Sequence, residues 1–135
     1  MNELHRLRAR IDELDRKLVE LLAARFDLAR QVGQAKAESG LSVYDPERER
    51  RVLERVAELS AGRFPPERLR SIFREIISAS RALESGDAVL VHGGWGGLAH
   101  HAALLRFGAS ARIATADRGE DLFVRLAEGS CTYAV

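Results

Sequence analysis

The segment Lys17–Lys36, KLVELLAARFDLARQVGQAK, lies inside a longer helical pattern that has one residue out of place. From Leu4 the apolar residues recur at alternating steps of three and four: Leu4, Leu7, Ile11, Leu14, Leu18 and Leu21, then Leu28 and Val32 beyond a gap. Such spacing draws one stripe along an α-helix. The gap is position 25, where the stripe calls for leucine and the chain has Arg25. A guanidinium stays charged at any physiological pH, and burying it without a partner costs several kcal/mol.

Working outward, the pattern predicts a first helix from Asn2 to Glu38, closed by a glycine cap at Ser39-Gly40. About 37 residues at 1.5 Å each extend roughly 55 Å, whereas a compact unit of about 85 residues spans roughly 30 Å. Much of the stripe would face water in a single copy. A second copy paired antiparallel across a two-fold axis covers it economically. An ordinary two-stranded coiled coil is the plainer alternative.

Two more helices complete this half. YDPERERRVLERVAEL starts with Asp45 as N-cap and Pro46 at the first helical position, and fades at SAGRFPP. The third begins after Pro66 and carries RLRSIFREIISASRALE to about Ser85. Their apolar faces also hold misfits. Stepping back from Val52, Leu53, Val56 and Leu59 lands on Glu49, and the row Leu69, Ile72, Phe73, Ile76, Ile77 continues to Ser80 and Leu83, with Glu84 one turn beyond Ser80. Lys36 follows Arg25 by eleven residues, on nearly the same face and about 16 Å along.

Taken singly, Arg25 reads most simply as a snorkelling side chain or half of an ion pair. As a set, Arg25, Lys36 and Arg48 against Glu49 and Glu84 read either as an internal salt-bridge network or as a cation-rich cavity for an anionic ligand. A compact dicarboxylate fits the second reading, because arginine grips a carboxylate through two parallel hydrogen bonds. Arg8 precedes Arg25 by seventeen residues, about 25 Å on one helix. On an antiparallel partner helix that distance collapses, and Arg8 enters the other subunit's cavity.

The totals exclude several classes. The 135 residues carry a formal net charge of +1 with 30% charged, so composition does not point to nucleic acid. A lone cysteine, Cys131, rules out a disulfide framework and fits a reducing compartment. The charged start MNELHRLRARIDELDRK has no apolar core of a signal peptide, and no apolar run reaches the ~20 residues of a membrane span. A soluble cytoplasmic protein is expected.

Residues 1–85 resemble the all-α class of chorismate mutases, on the strength of LRARIDELDRKLVELLAARFDLARQVGQAK, VYDPERERRVLERV and IFREIISASRALE. The resemblance implies a three-helix domain in an intertwined homodimer with two identical sites. Each site would take Arg8 from one subunit and Arg25, Lys36, Asp45, Arg48, Glu49, Ser80 and Glu84 from the other. It implies that Arg8 and Arg25 hold the two carboxylates of chorismate, with Ser80 and Arg48 completing their surroundings. Glu49 and the backbone near Asp45 would take the ring hydroxyl, and Lys36 and Glu84 would flank the ether oxygen. The implied reaction is the Claisen rearrangement of chorismate to prephenate, in phenylalanine and tyrosine biosynthesis, with no cofactor and no metal. Glu84 stands where some family members have glutamine, so it must be protonated to donate a hydrogen bond. Isochorismate-pyruvate lyases share the fold and a similar cation set, and a catalytically silent dimerisation or regulatory module is a third reading.

From residue 86 the composition changes, with seven of the eleven glycines in AVLVHGGWGGLAHHAALLRFGASARIATADRGEDLFVRLAEGSCTYAV. The pattern reads as strand (Ala88–Val91), glycine loop, helix (Gly97–Phe107), strand (Ala111–Thr115), helix (Gly119–Ala127) and strand (Thr132–Val135), an incomplete α/β segment. HHAALLRFG, EDLFVRLAEG and the closing YAV resemble the first portion of prephenate dehydratase, the usual fusion partner of these mutases. GGWGGLA departs from that family's Gly-Pro-x-Gly-Thr-Phe-Ser loop, and its Thr-Arg-Phe catalytic segment does not occur, so no dehydratase activity is expected of these residues. A rival reading takes Gly94, Gly96 and Ala99, with Asp117, as a dinucleotide fingerprint of a dehydrogenase-like fusion. His92, His100 and His101 read as surface positions rather than metal ligands, and Cys131 as a strand-core residue.

Overall fold

The computed structural model describes residues 2–42, 44–84 and 88–135. The expected boundary between the two halves, and the last residue expected of the third helix, Ser85, lie outside the described residues.

Three helices come first: α1 (Glu3–Glu38), α2 (Pro46–Leu59) and α3 (Pro66–Glu84). Asn2 caps α1 by accepting the His5 N–H, and Ser39 closes it. Gly40 then turns left-handed at φ +67°, which lets the Leu41 N–H reach the Lys36 carbonyl at 2.9 Å. Asp45 caps α2 as the sequence requires, its carboxylate accepting the Arg48 N–H at 3.0 Å. α3 packs on both α1 and α2. At the α1–α3 crossing the buried Gly33 admits Glu84 so closely that a Cβ on Gly33 would stand 3.1 Å from the Glu84 Cβ.

The apolar stripe of α1 is not covered within the chain. Leu4, Leu7, Ile11, Leu14, Leu18, Leu21, Leu28 and Val32 are all exposed, between 44% and 67%. On α2 and α3 the inward rows are partly correct as read: Val56 and Ile77 are buried, but Leu59, Ile72 and Leu83 are exposed.

The second half forms β1 (Ala88–His92), α4 (Leu98–Phe107), β2 (Arg112–Ala116), α5 (Gly119–Ala127) and β3 (Tyr133–Ala134). The strands make one parallel sheet in the order β2-β1-β3, with Val89 opposite both Ile113 and Tyr133. Alternation along β1 sorts the core to two faces. Val89 and Val91 pack with Ala103 and Phe107 of α4, and Leu90 packs with Ala116, Cys131 and Leu122 of α5. Cys131 is buried as expected but precedes β3. The element boundaries differ from the pattern by one or two residues at most, except that β3 is shorter.

Candidate active site

Helix α1, the first turn of α2 and the last turns of α3 enclose a cleft of about 260 Å³. Arg25 and Lys36 enter it from α1, Asp45, Arg48 and Glu49 from the start of α2, and Ser80, Arg81 and Glu84 from α3. Apolar walls come from Leu28, Val32, Val52 and Ile77. Seven of the eight residues singled out in the sequence therefore meet in one place. Arg8 does not: it is exposed near the far end of α1, outside the cleft of its own chain.

The half-buried Arg25 is held by α3. Its Nη1 donates to the Ser80 hydroxyl at 2.6 Å, and that hydroxyl donates to the Ile76 carbonyl at 2.9 Å. Burial lowers the Arg25 pKa, the nearby Glu84 raises it, and Arg48 lowers it again. These pulls leave a guanidinium charged at neutral pH.

Both cleft glutamates are pushed toward their neutral forms. Burial raises Glu84, against the opposing pull of Lys36, Arg25 and Arg81. Burial also raises Glu49, opposed first by Arg81 and then by Arg106 and Lys36. The Glu49 carboxylate adds to the rise at Glu84, so the two titrations are linked. Asp45 is already committed to its capping bond.

Arg81 was not among the residues the sequence singled out. Its Nε lies 3.0 Å from Glu49 Oε1, with the two side chains 14% and 17% exposed. The Nε–H has no hydrogen-bond partner of good geometry, so the contact is an ion pair rather than a hydrogen bond. The test that exposed Arg25 finds it: Phe73, Ile77 and Arg81 follow one another by four, so a guanidinium again occupies an apolar row.

The family model for chorismate mutase type II matches residues 7–85. The chain belongs to the chorismate mutase type II family. A solved chorismate mutase from Thermus thermophilus is similar to this chain with a TM-score of 0.60 and 36% identity, covering 62% of this chain and 94% of that one. The chorismate mutase of Methanocaldococcus jannaschii is 33% identical over 85 residues, 62% of this chain and 86% of that protein. The bifunctional chorismate mutase/prephenate dehydratase of Aquifex aeolicus is 37% identical over 139 aligned residues. That alignment takes in 100% of this chain, which spans 38% of the Aquifex protein's length.

The remaining polar candidates lie outside the cleft. His92 and His101 are exposed, while His100 Nδ1 accepts the Gly96 N–H at 3.0 Å and its ring meets Trp95 edge-on. These contacts make His100 a staple for the glycine loop. Among the described residues no group of His, Cys, Asp or Glu is placed to hold a metal ion, and no helix is long and apolar enough to cross a membrane.

Proposed function

We propose that this chain is a chorismate mutase that rearranges chorismate to prephenate in aromatic amino acid biosynthesis in the cytoplasm. The observation that carries the reading is the cleft's charge. Arg25, Lys36, Arg48 and Arg81 face Asp45, Glu49 and Glu84. Four cations outnumber three carboxylates, and burial pushes Glu84 and Glu49 toward their neutral forms, so the cleft carries an excess of positive charge suited to a dicarboxylate.

In this reading Arg25, fixed by Ser80, grips one carboxylate bidentately, with Arg48 beside it. Glu49 accepts the ring hydroxyl. Lys36 and protonated Glu84 face the ether oxygen, where negative charge grows as the C–O bond breaks and the new C–C bond forms. Folding the side chain over the ring supplies conformational restriction. One fixed donor at the ether oxygen contributes about 3–4 kcal/mol.

The second carboxylate falls to Arg8 of a partner copy. The exposed α1 stripe supports an antiparallel homodimer. Its eight side chains are each about half exposed, so burying what remains gives roughly 1 kcal/mol apiece. Two copies then contribute on the order of 15 kcal/mol, enough to offset an association cost of about 4–15 kcal/mol. Pairing brings Arg8, about 25 Å from its own Arg25, to the other cleft. We read residues 88–135 as a dehydratase-like segment without dehydratase activity of its own, supported by alignment of the bifunctional Aquifex relative along the whole chain.

Chorismate consumption with product identification tests the reaction. Prephenate is expected, whereas salicylate with pyruvate from isochorismate would assign a lyase. Turnover should fall as pH rises through the raised pKa of Glu84, because the ionised carboxylate repels the developing oxyanion. Glu84→Gln should flatten that alkaline limb. An unaltered limb removes Glu84 from the ether-oxygen role.

A further inference from the structure

The α/β segment meets α3 along three consecutive residues. Phe107, Gly108 and Ala109 run past Arg81, Ser78 and Glu75, which recur by threes along α3 and so share a face. Arg81 Nη2 donates to the Phe107 carbonyl at 3.1 Å, and Glu75 Oε2 accepts the Ala109 N–H at 3.0 Å. Between them Gly108 sits so near the buried Ser78 that an added Cβ would stand 2.3 Å from the Ser78 Cβ.

The Arg81 guanidinium is seated from both sides of this junction. Its Cζ lies 5.2 Å from the Tyr44 ring centroid and 5.4 Å from that of Phe107, within cation–π range. Those rings pack on each other and on Tyr133 of β3. The same guanidinium reaches Glu49 in the cleft at 3.0 Å. One side chain thus joins the α/β segment to a carboxylate that lines the mutase cleft.

We propose that Arg81 is a positioning residue for the mutase reaction: anchored by the end of α4 and the Tyr44 ring, it fixes where the Glu49 carboxylate stands. The inference rests on the chorismate reading of the cleft. Without Arg81, Glu49 is drawn instead toward Lys36 on α1 or Arg106 on α4. With Oε1 engaged by Arg81, Oε2 remains to accept the ring hydroxyl. The α/β segment is then part of the apparatus that orients the substrate.

The charged groups acting on Glu49 are Lys36 of α1, Asp45 at the start of α2, Arg81 and Glu84 of α3, and Arg106 of α4. Of the cations Arg81 opposes the effect of burial most strongly at Glu49, but at Glu84 it ranks behind Lys36 and Arg25. Glu49 accepts the ring hydroxyl as a carboxylate, so its protonation sets the acid limb of the pH–rate profile; removing the Arg81 charge therefore shifts that limb upward, and the alkaline limb of Glu84 less.

The test is kcat/KM against pH for the full chain carrying Arg81→Met or Arg81→Lys, each also in a Glu84→Gln background where only the acid limb remains. Arg81→Met is expected to lower kcat/KM roughly 10- to 100-fold and to move the acid limb up by about one pH unit. Arg81→Lys should return the limb to the wild-type pH, because the charge is restored, while kcat/KM stays low without the planar fork. Wild-type kcat/KM and limb position in Arg81→Met, with Arg25→Ala inactive, overturns the proposal and leaves the site reading intact. Full activity in Arg25→Ala removes the site reading itself. If Arg81→Met does not fold, Arg81→Lys decides alone, and an unchanged kcat/KM overturns the proposal.

Discussion

The two halves enclose apolar surface in opposite ways. In the α/β segment Val89, Leu90, Val91 and Ala103 are 3% exposed or less, sealed by a sheet with a helix on each face. In the longer helical half the buried apolar side chains among the described residues are Val56 and Ile77, while a stripe of eight lies open along α1. The half that carries the cleft is therefore the half that has not finished burying itself. A self-contained core would leave no room between α1 and α3 for Arg25 and Glu84, and no open face for the second copy proposed above. The cleft and the open stripe are two results of one underfilled bundle.

The largest test of this contrast asks whether the cleft is shared between copies. Arg25→Ala and Arg8→Ala should each lower kcat/KM by roughly 10²- to 10³-fold, the range for losing one charged, bidentate contact in a dry site. Unfolded and refolded together in equal amounts, the two variants should regain about a quarter of wild-type activity. Half of the dimers are then mixed, and each mixed dimer holds one intact site of two. No recovery would place Arg8 outside the partner's cleft.

Next in size is the stripe. Leu18→Glu puts a charge in the middle of α1, forfeiting the roughly 1 kcal/mol that covering Leu18 contributes in each copy and adding the burial penalty of the carboxylate. Analytical ultracentrifugation should report a monomer, and mutase activity should disappear with it. Wild-type sedimentation and melting would show that the stripe is not the pairing face.

The smallest effect concerns the junction between the halves. Gly108 has φ +80° and touches Ser78, so Gly108→Val adds strain of about 1–2 kcal/mol to a direct clash. Melting of the α/β segment should fall by several degrees, and kcat/KM by less than tenfold, since the cleft itself keeps every lining residue. An effect as large as that of Arg25→Ala would mean that the helical half depends on the α/β segment for its fold.

Much of this was legible in the chain. Periodicity located all three helices, and Asp45-Pro46 and Ser39-Gly40 marked boundaries, because caps and turns are decided within a few residues. Arg25, Lys36, Glu49, Ser80 and Glu84 were visible as polar residues on apolar rows. Arg81 obeyed the same rule and was overlooked beside Ser80, which hid a second misfit one position along. Gly33 gave no warning at all. A lone glycine near the end of a helix signals only flexibility until a neighbour, here Glu84, is found 3.1 Å from its missing Cβ.

The sequence by itself determined which segments are helical, where their apolar faces lie and which charges interrupt them, since those properties depend on neighbours three or four residues away. Only the tertiary structure decided that β1 is the central strand, that Tyr44 joins the aromatic cluster of the second half, and that Arg81 spans from Phe107 to Glu49. Those pairings link residues that lie dozens of positions apart, and no local period encodes them.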